Sequence, residues 1–291
     1  MNPLPVIQIV LPVFLVIALG YFYGRRHPTD IDTANRLNMD VFTPALIFSA
    51  LSAQGFQIAD YSTLALAGIL VVLGSGLVVL PFVRLLKVHW KTFVPPMMFT
   101  NSGNMGIPIL LLAFGEAALP AAIVLFLVEN TLHFSVGIYM LNHKLSLWQL
   151  LRIPIIAASI AGIAVSLSGL VVPQVLAVPI EMVGQIAIPL MLFTLGVRMV
   201  DADFSDWRLG LWGAFLAPAS GLVMAALITP FLDLTQQQVA YLFVFAALPP
   251  AVLNYMVAEK YGQEPKRVAS IVFMGNLFAI VSLSLVLGWL L

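Results

Sequence analysis

Runs of apolar residues long enough to cross a bilayer alternate along this chain with short polar or Gly/Pro-containing breaks. Ten such runs can be drawn, at residues 6–23, 32–53, 59–83, 92–114, 117–141, 148–172, 179–199, 207–231, 236–261 and 265–291. A membrane-crossing helix needs about 20 consecutive apolar residues, so the pattern predicts an all-α membrane protein of ten transmembrane helices with no folded domain outside the bilayer. The first run has no basic residue before it, and it reads as a span and not as a cleaved leader.

Composition narrows the class. The 291 residues are 61% hydrophobic and 9% charged, where soluble chains carry about 25% charge. A soluble enzyme, a nucleic-acid-binding protein and a secreted disulfide scaffold are excluded. The absence of cysteine removes thiolate chemistry. Net charge is zero, yet the 13 basic residues are strongly segregated. Arg25, Arg26 and Arg36 flank the first connection, Arg84, Lys87 and Lys91 the third, Lys144 and Arg152 the fifth, Arg198 and Arg208 the seventh, and Lys260, Lys266 and Arg267 the ninth. The even connections carry acids instead, at Asp60, Glu116, Glu181 and Asp233. Lysine and arginine are retained on the cytoplasmic side, so the expectation is a multi-pass protein of the cell membrane with both termini outside.

Self-comparison at a spacing of about 147 residues finds ordered matches. Residues Thr43-Pro44-Ala45-Leu46-Ile47-Phe48-Ser49 resemble Ile188-Pro189-Leu190-Met191-Leu192-Phe193-Thr194, and Pro81-Phe82 recurs as Pro230-Phe231. Two five-helix units are expected, 1–143 and 144–291. Five is odd, so the second unit would be inserted upside down, the inverted-repeat arrangement of many transporters.

The fourth run is centred on Asn101-Ser102-Gly103-Asn104-Met105-Gly106-Ile107-Pro108, the poorest helix-forming stretch in the chain. The ninth is centred on Pro249 and Pro250, with Asn254 one turn on. One reading is a pair of ordinary proline kinks. The other is two broken helices crossing at one depth, whose N-terminal ends and free amides suit a carboxylate. Equivalent positions in both units, with asparagines beside each break, favour the second. Substrate contacts are then expected at Asn101, Gly103, Asn104, Gly106, Pro108, Pro249, Pro250 and Asn254.

In the fifth run Glu129 sits at the centre, followed by Asn130 and, on the same face, His133. A carboxylate at midplane costs about 2.5 kcal/mol or more if ionised towards lipid. Glu129, with Asn130, His133, its repeat counterpart Asn276, and Asp40 in the second run, is a candidate for ion or proton coupling. Either carboxyl could instead be a hydrogen-bonded structural acid.

The two broken segments resemble the auxin efflux carrier family. The string Asn101 to Pro108 matches the family's fourth span, Ala247-Leu248-Pro249 with Ala258-Glu259-Lys260-Tyr261 its ninth, and Ile271-Val272-Phe273-Met274-Gly275 its tenth. Asn254 stands where plant members carry a second proline, and the connection between halves is short, around Asn142-His143-Lys144; both features are similar to the prokaryotic branch. The resemblance implies a fold like bile-acid/sodium symporters. Helices 1, 2, 6 and 7 would form a scaffold, and helices 3–5 and 8–10 a transport domain. It also implies a homodimer joined through the scaffold, and a small organic anion such as malate, malonate or auxin as substrate, with dicarboxylates favoured by the short loop.

The leading expectation is a secondary carrier without cofactor, coupled to protons in preference to sodium because no hydroxyl and carboxylate cage is visible. A sodium-coupled carrier, a channel and a receptor of the same fold stay open. An intramembrane enzyme is not expected, since there is no His-Glu-x-x-His motif and no aspartate pair in facing spans.

Overall fold

A computed structural model describes residues 4–142 and 153–291. The expected boundary at 143/144, the basic markers Lys144 and Arg152, and the start of the sixth run at Trp148 lie outside the described residues. Among the described residues the chain is helical throughout, without strands, and one isolated antiparallel bridge joins Thr100 to Pro250. Among the described residues six helices are long and apolar enough to cross a membrane: Val6–Arg26, Ile58–Leu85, Glu116–Asn142, Gln174–Asp201, Trp207–Phe231 and Pro265–Leu290. Their outward faces carry exposed Leu11, Leu15 and Leu19 at one end of the chain and Leu277, Val281 and Leu285 at the other. Apolar surface on this scale marks a lipid-facing protein.

In chain order the helices are α1 (Leu4–Arg26), α2 (Ile31–Leu37), α3 (Thr43–Leu51), α4 (Ser62–Leu85), α5 (Trp90–Met98), α6 (Ile107–Phe114), α7 (Leu119–Leu132) and α8 (Ile138–Asn142). After the undescribed stretch come α9 (Pro154–Ser168), α10 (Gln174–Gln185), α11 (Ala187–Arg198), α12 (Trp207–Ile228), α13 (Gln236–Ala246), α14 (Val252–Lys260) and α15 (Pro265–Leu290). Both predicted breaks are present: α5 and α6 divide the fourth run, and α13 and α14 the ninth. The seventh run starts earlier than its proline suggests. Helix α10 begins at Gln174 and carries Pro179 inside, past the first turn, where its ring removes one backbone hydrogen bond.

Three π-helical turns are absent from the pattern that the sequence predicts. They span Asn38–Phe42, Ser102–Gly106 and His133–Gly137. Two of them end immediately before a proline-bearing first turn, at Pro44 and Pro108. A proline ring collides with the carbonyl four residues back. Widening the turn relieves that collision, and the preceding amide bonds five residues back, Thr43 to Asn38 and Ile107 to Ser102.

The helices pack in two groups. In the first, α1 lies along α11, and α9 and α10 lie against α3. In the second, α12 packs on α4, α5, α13 and α15, with α7 behind α4. Glycines set the closest approaches. A Cβ added at Gly196 would stand 1.9 Å from the Ile17 carbonyl oxygen, and one at Gly20 2.0 Å from that of Phe193.

A polar clamp ties helix ends within the second group. Arg267 donates to Asp206 and to Glu264, each at 2.9 Å, and the Thr92 hydroxyl donates to the other Glu264 oxygen. Gln263 donates to Thr92 at 2.9 Å. The Thr92 hydroxyl, followed by Arg267, holds the Glu264 carboxyl below the usual carboxylate range, against a smaller desolvation effect. A carboxyl lowered in the folded state stabilises it above the unfolded value of about 4.3. That contribution is lost as pH falls through the lower folded value. Thr92→Val is therefore expected to melt lower than wild type at pH 7, with the gap closing towards pH 3; a gap independent of pH would show that Glu264 is not the linked group.

Candidate functional site

The two interrupted helices cross where their linkers meet, and backbone pairing holds the crossing. The Asn101 amide donates to the Pro249 carbonyl at 2.7 Å, and the Ala251 amide donates to the Phe99 carbonyl at 2.9 Å. Pro249 and Pro250 have no amide hydrogen, so side chains complete the pairing. Asn254 Nδ2 donates to the Phe99 carbonyl at 2.9 Å and to Ala251 at 3.0 Å. Asn276 Nδ2 donates to the carbonyls of Pro250 at 3.0 Å and Val272 at 2.8 Å. Asn276 Oδ1 in turn accepts from Asn101 Nδ2 at 2.8 Å. Irregular backbone at membrane depth must find partners inside the protein, and these amides supply them. The approach is tight: a Cβ on Gly275 would meet the Pro250 ring at 2.6 Å, and one on Gly106 would meet Leu248 at 2.8 Å.

Beside the crossing lies a polar cavity of about 150 Å³. Of the sequence candidates it gathers Asn101, Gly103, Asn104, Glu129, Asn130 and His133 on its wall. Buried Glu129 accepts from the Ser102 hydroxyl at 3.0 Å through one oxygen and lies 3.3 Å from His133 Nδ1 through the other. The His133 ring stacks on Phe99, with centroids 4.3 Å apart and planes 12° apart. One wall is the start of the helical stretch Ser102–Phe114 and another the start of α14, at Ala251, Val252 and Leu253. All three π-helical turns contribute a residue: Asn38, Gly103 and His133.

Other candidates stand elsewhere. Gly106, Pro108, Pro249 and Pro250 build the crossing without lining this cavity, and Asn254 is buried behind it. Asn276 faces a second, larger cleft of about 470 Å³ between α1, α11 and α15, lined by apolar side chains including exposed Phe22, Leu277 and Ile280. Its greasy, outward lining fits lipid better than a polar solute. Asp40 is on an exposed face of the second run, away from the cavity. Among the described residues no three His, Asp or Glu side chains converge as a transition-metal donor set would.

The profile of a family described as "Membrane transport protein" matches residues 5–146 and 138–287. The chain belongs to that family. The likeness of its broken helices to auxin efflux carriers points the same way, and the family is one of membrane transporters, not enzymes. A relative in Rhizobium meliloti (strain 1021), named "Putative malonate transporter", is 26% identical over 300 residues, spanning 95% of this chain and 93% of that protein.

Part of this transporter's cavity wall is missed by reading the sequence: Asn35, Asn38, Thr43, Thr100 and Arg198. In the sequence Arg198 reads only as a marker of the seventh connection. A signal is available, because Met191 and Arg198 stand seven residues apart on one helical face, and Asn35 and Asn38 three apart on another.

Proposed function

We propose that this multi-pass membrane protein is a secondary carrier that moves a small organic anion by alternating access. Its ten spans would form two inverted five-helix repeats. The observation that carries the reading is the meeting of two helix N-terminal ends on one polar cavity beside a crossing of interrupted helices. Each such end carries roughly half a positive charge and unpaired amides, and Asn101 and Asn104 add amide donors. The relative's name supports a carboxylate as the anion. The separate packing of the α1, α3, α9, α10 and α11 group supports a scaffold against which the second group moves, and the exposed scaffold faces suit a homodimer. The alternation of basic and acidic connections supports placement in the cell membrane with both termini outside.

Coupling to protons is the companion reading, supported by the contact between Glu129 and His133 on the cavity wall. Glu129 would take up a proton with the anion and release it on the other side. Uptake of labelled malonate into proteoliposomes tests both parts. Wild-type protein is expected to accumulate the label, faster under an inward proton gradient than under a sodium gradient. Glu129→Gln should retain downhill exchange but lose at least about tenfold of the proton-driven component, one decade in rate for each 1.4 kcal/mol. Sodium-driven uptake at clamped pH would transfer the coupling to sodium. Ligand binding without flux would make the protein a receptor.

A further inference from the structure

We propose that Arg198 anchors a second carboxylate, so that the transported anion is a short dicarboxylate held between this guanidinium and the two helix ends; the inference rests on the carrier reading above. Arg198 lines the same cavity as Asn101, Gly103 and Asn104, and is half-buried at the end of α11. Among the described residues it makes no ion pair. Asp32 and Glu259 are near enough to act on it electrostatically without pairing. Glu259 instead accepts from the Tyr255 hydroxyl at 3.1 Å. A guanidinium in such a place has five donors and a planar fork matched to a carboxylate.

The wall between Arg198 and the crossing is built for a polar occupant. Asn38, Thr43 and Thr100 are only 5%, 1% and 6% exposed, yet Asn38 Oδ1, Thr43 Oγ1 and Thr100 Oγ1 have no hydrogen-bond partner. Asn35 Nδ2 on the same wall is also unpartnered. Buried polar atoms left unpaired are costly, and the four belong to residues that line this cavity, so turning their side chains inward would pair them with a polar occupant. The two hydroxyls and Asn35 Nδ2 can donate to carboxylate oxygens, whereas Asn38 Oδ1 accepts and suits a hydroxyl or water beside them.

Size and charge agree. A cavity near 150 Å³ has room for a molecule about as large as benzene, enough for a three- or four-carbon diacid. Two helix ends at roughly half a positive charge each, together with one guanidinium, offer positive potential to more than one carboxylate.

The experiment compares malonate with its monomethyl ester, which has nearly the same skeleton but one charge. Binding is measured by calorimetry on the purified full-length protein, and uptake in proteoliposomes. Wild type is expected to bind malonate at least about tenfold more tightly than the ester. Arg198→Gln should lose at least about 30-fold for malonate, the lower end for removing one partner of a buried hydrogen-bonded charge pair, while staying within about threefold for the ester. Arg198→Lys keeps the charge without the fork and should fall between; if the Gln variant aggregates, Lys decides. Equal weakening of both ligands by either variant, or unchanged malonate affinity, overturns the assignment. A wild type that binds and carries both anions alike removes the Arg198 role and leaves the carrier intact. A wild type that neither binds nor carries either anion removes both readings.

Discussion

Asn101→Ala is expected to lower carrier uptake by about a hundredfold while the purified protein keeps its helix content and elution volume. The backbone pairing of Asn101 with Pro249 survives the substitution, so the crossing persists. Two things are lost: an amide on the cavity wall, and the bond to Asn276 Oδ1, which becomes a buried acceptor without a partner. Each loss is worth about 1–3 kcal/mol, and two losses near 1.4 kcal/mol give two decades in rate. The double variant Asn101→Ala with Asn276→Leu separates the roles. Asn276→Leu also strands the Pro250 carbonyl, so the comparison is with Asn276→Leu alone: with no acceptor left at 276, adding Asn101→Ala should lower the melting temperature no further, while uptake stays low. Recovery of uptake in the double variant would make the pair purely structural, and wild-type uptake in Asn101→Ala alone would end its role at the site.

Gly196→Leu should fail to give a monodisperse protein. The clash is with backbone, since a Cβ at this position stands 1.9 Å from the Ile17 carbonyl oxygen and 2.8 Å from the Tyr21 amide nitrogen. No rotamer change relieves it; α1 would have to move bodily away from α11. Overpacking of this kind costs about 1–3 kcal/mol even where side chains alone must shift, and a displaced helix pair costs more. Gly196→Ala is expected to fold with a lowered melting temperature, whereas Leu15→Ala, on the exposed side of α1, should be neutral. A Gly196→Leu protein with wild-type yield and melting temperature would show that α1 and α11 are free to separate without cost.

The helix breaks are legible in the sequence because their causes are local. Gly103, Gly106 and Pro108 weaken a helix wherever it lies, and Pro249-Pro250 must interrupt the ninth run. Glu129 and His133 are legible for the same reason, since four residues on a helix fix a shared face. Which asparagine touches the cavity is not. Asn101, Asn254 and Asn276 are alike in sequence, and only the crossing decides that the latter two serve backbone carbonyls. Arg198 is hidden by a rule that works on average: a basic residue at a helix end usually marks a membrane surface. Its tertiary setting, facing the π-helical turn at Asn38–Phe42 across one cavity, is invisible to periodicity. The π turns themselves hinge on whether a proline is accommodated by kinking or by widening, which neighbouring helices settle.

Among the described residues, the hydrogen bonds that hold the crossing join α14, α15 and the two linkers, all in the second helix group, and none reaches α1, α3 or α11. Apart from the polar cavity that both groups line, the surfaces where they meet include a hydrocarbon patch, with Ile17 and Leu195 near Met105 and Ile280. One oily surface can slide over another without a polar bond being broken, because the dispersion attraction given up at one position is regained at the next. Relative movement of the two groups at this patch would leave the hydrogen bonds of the crossing intact.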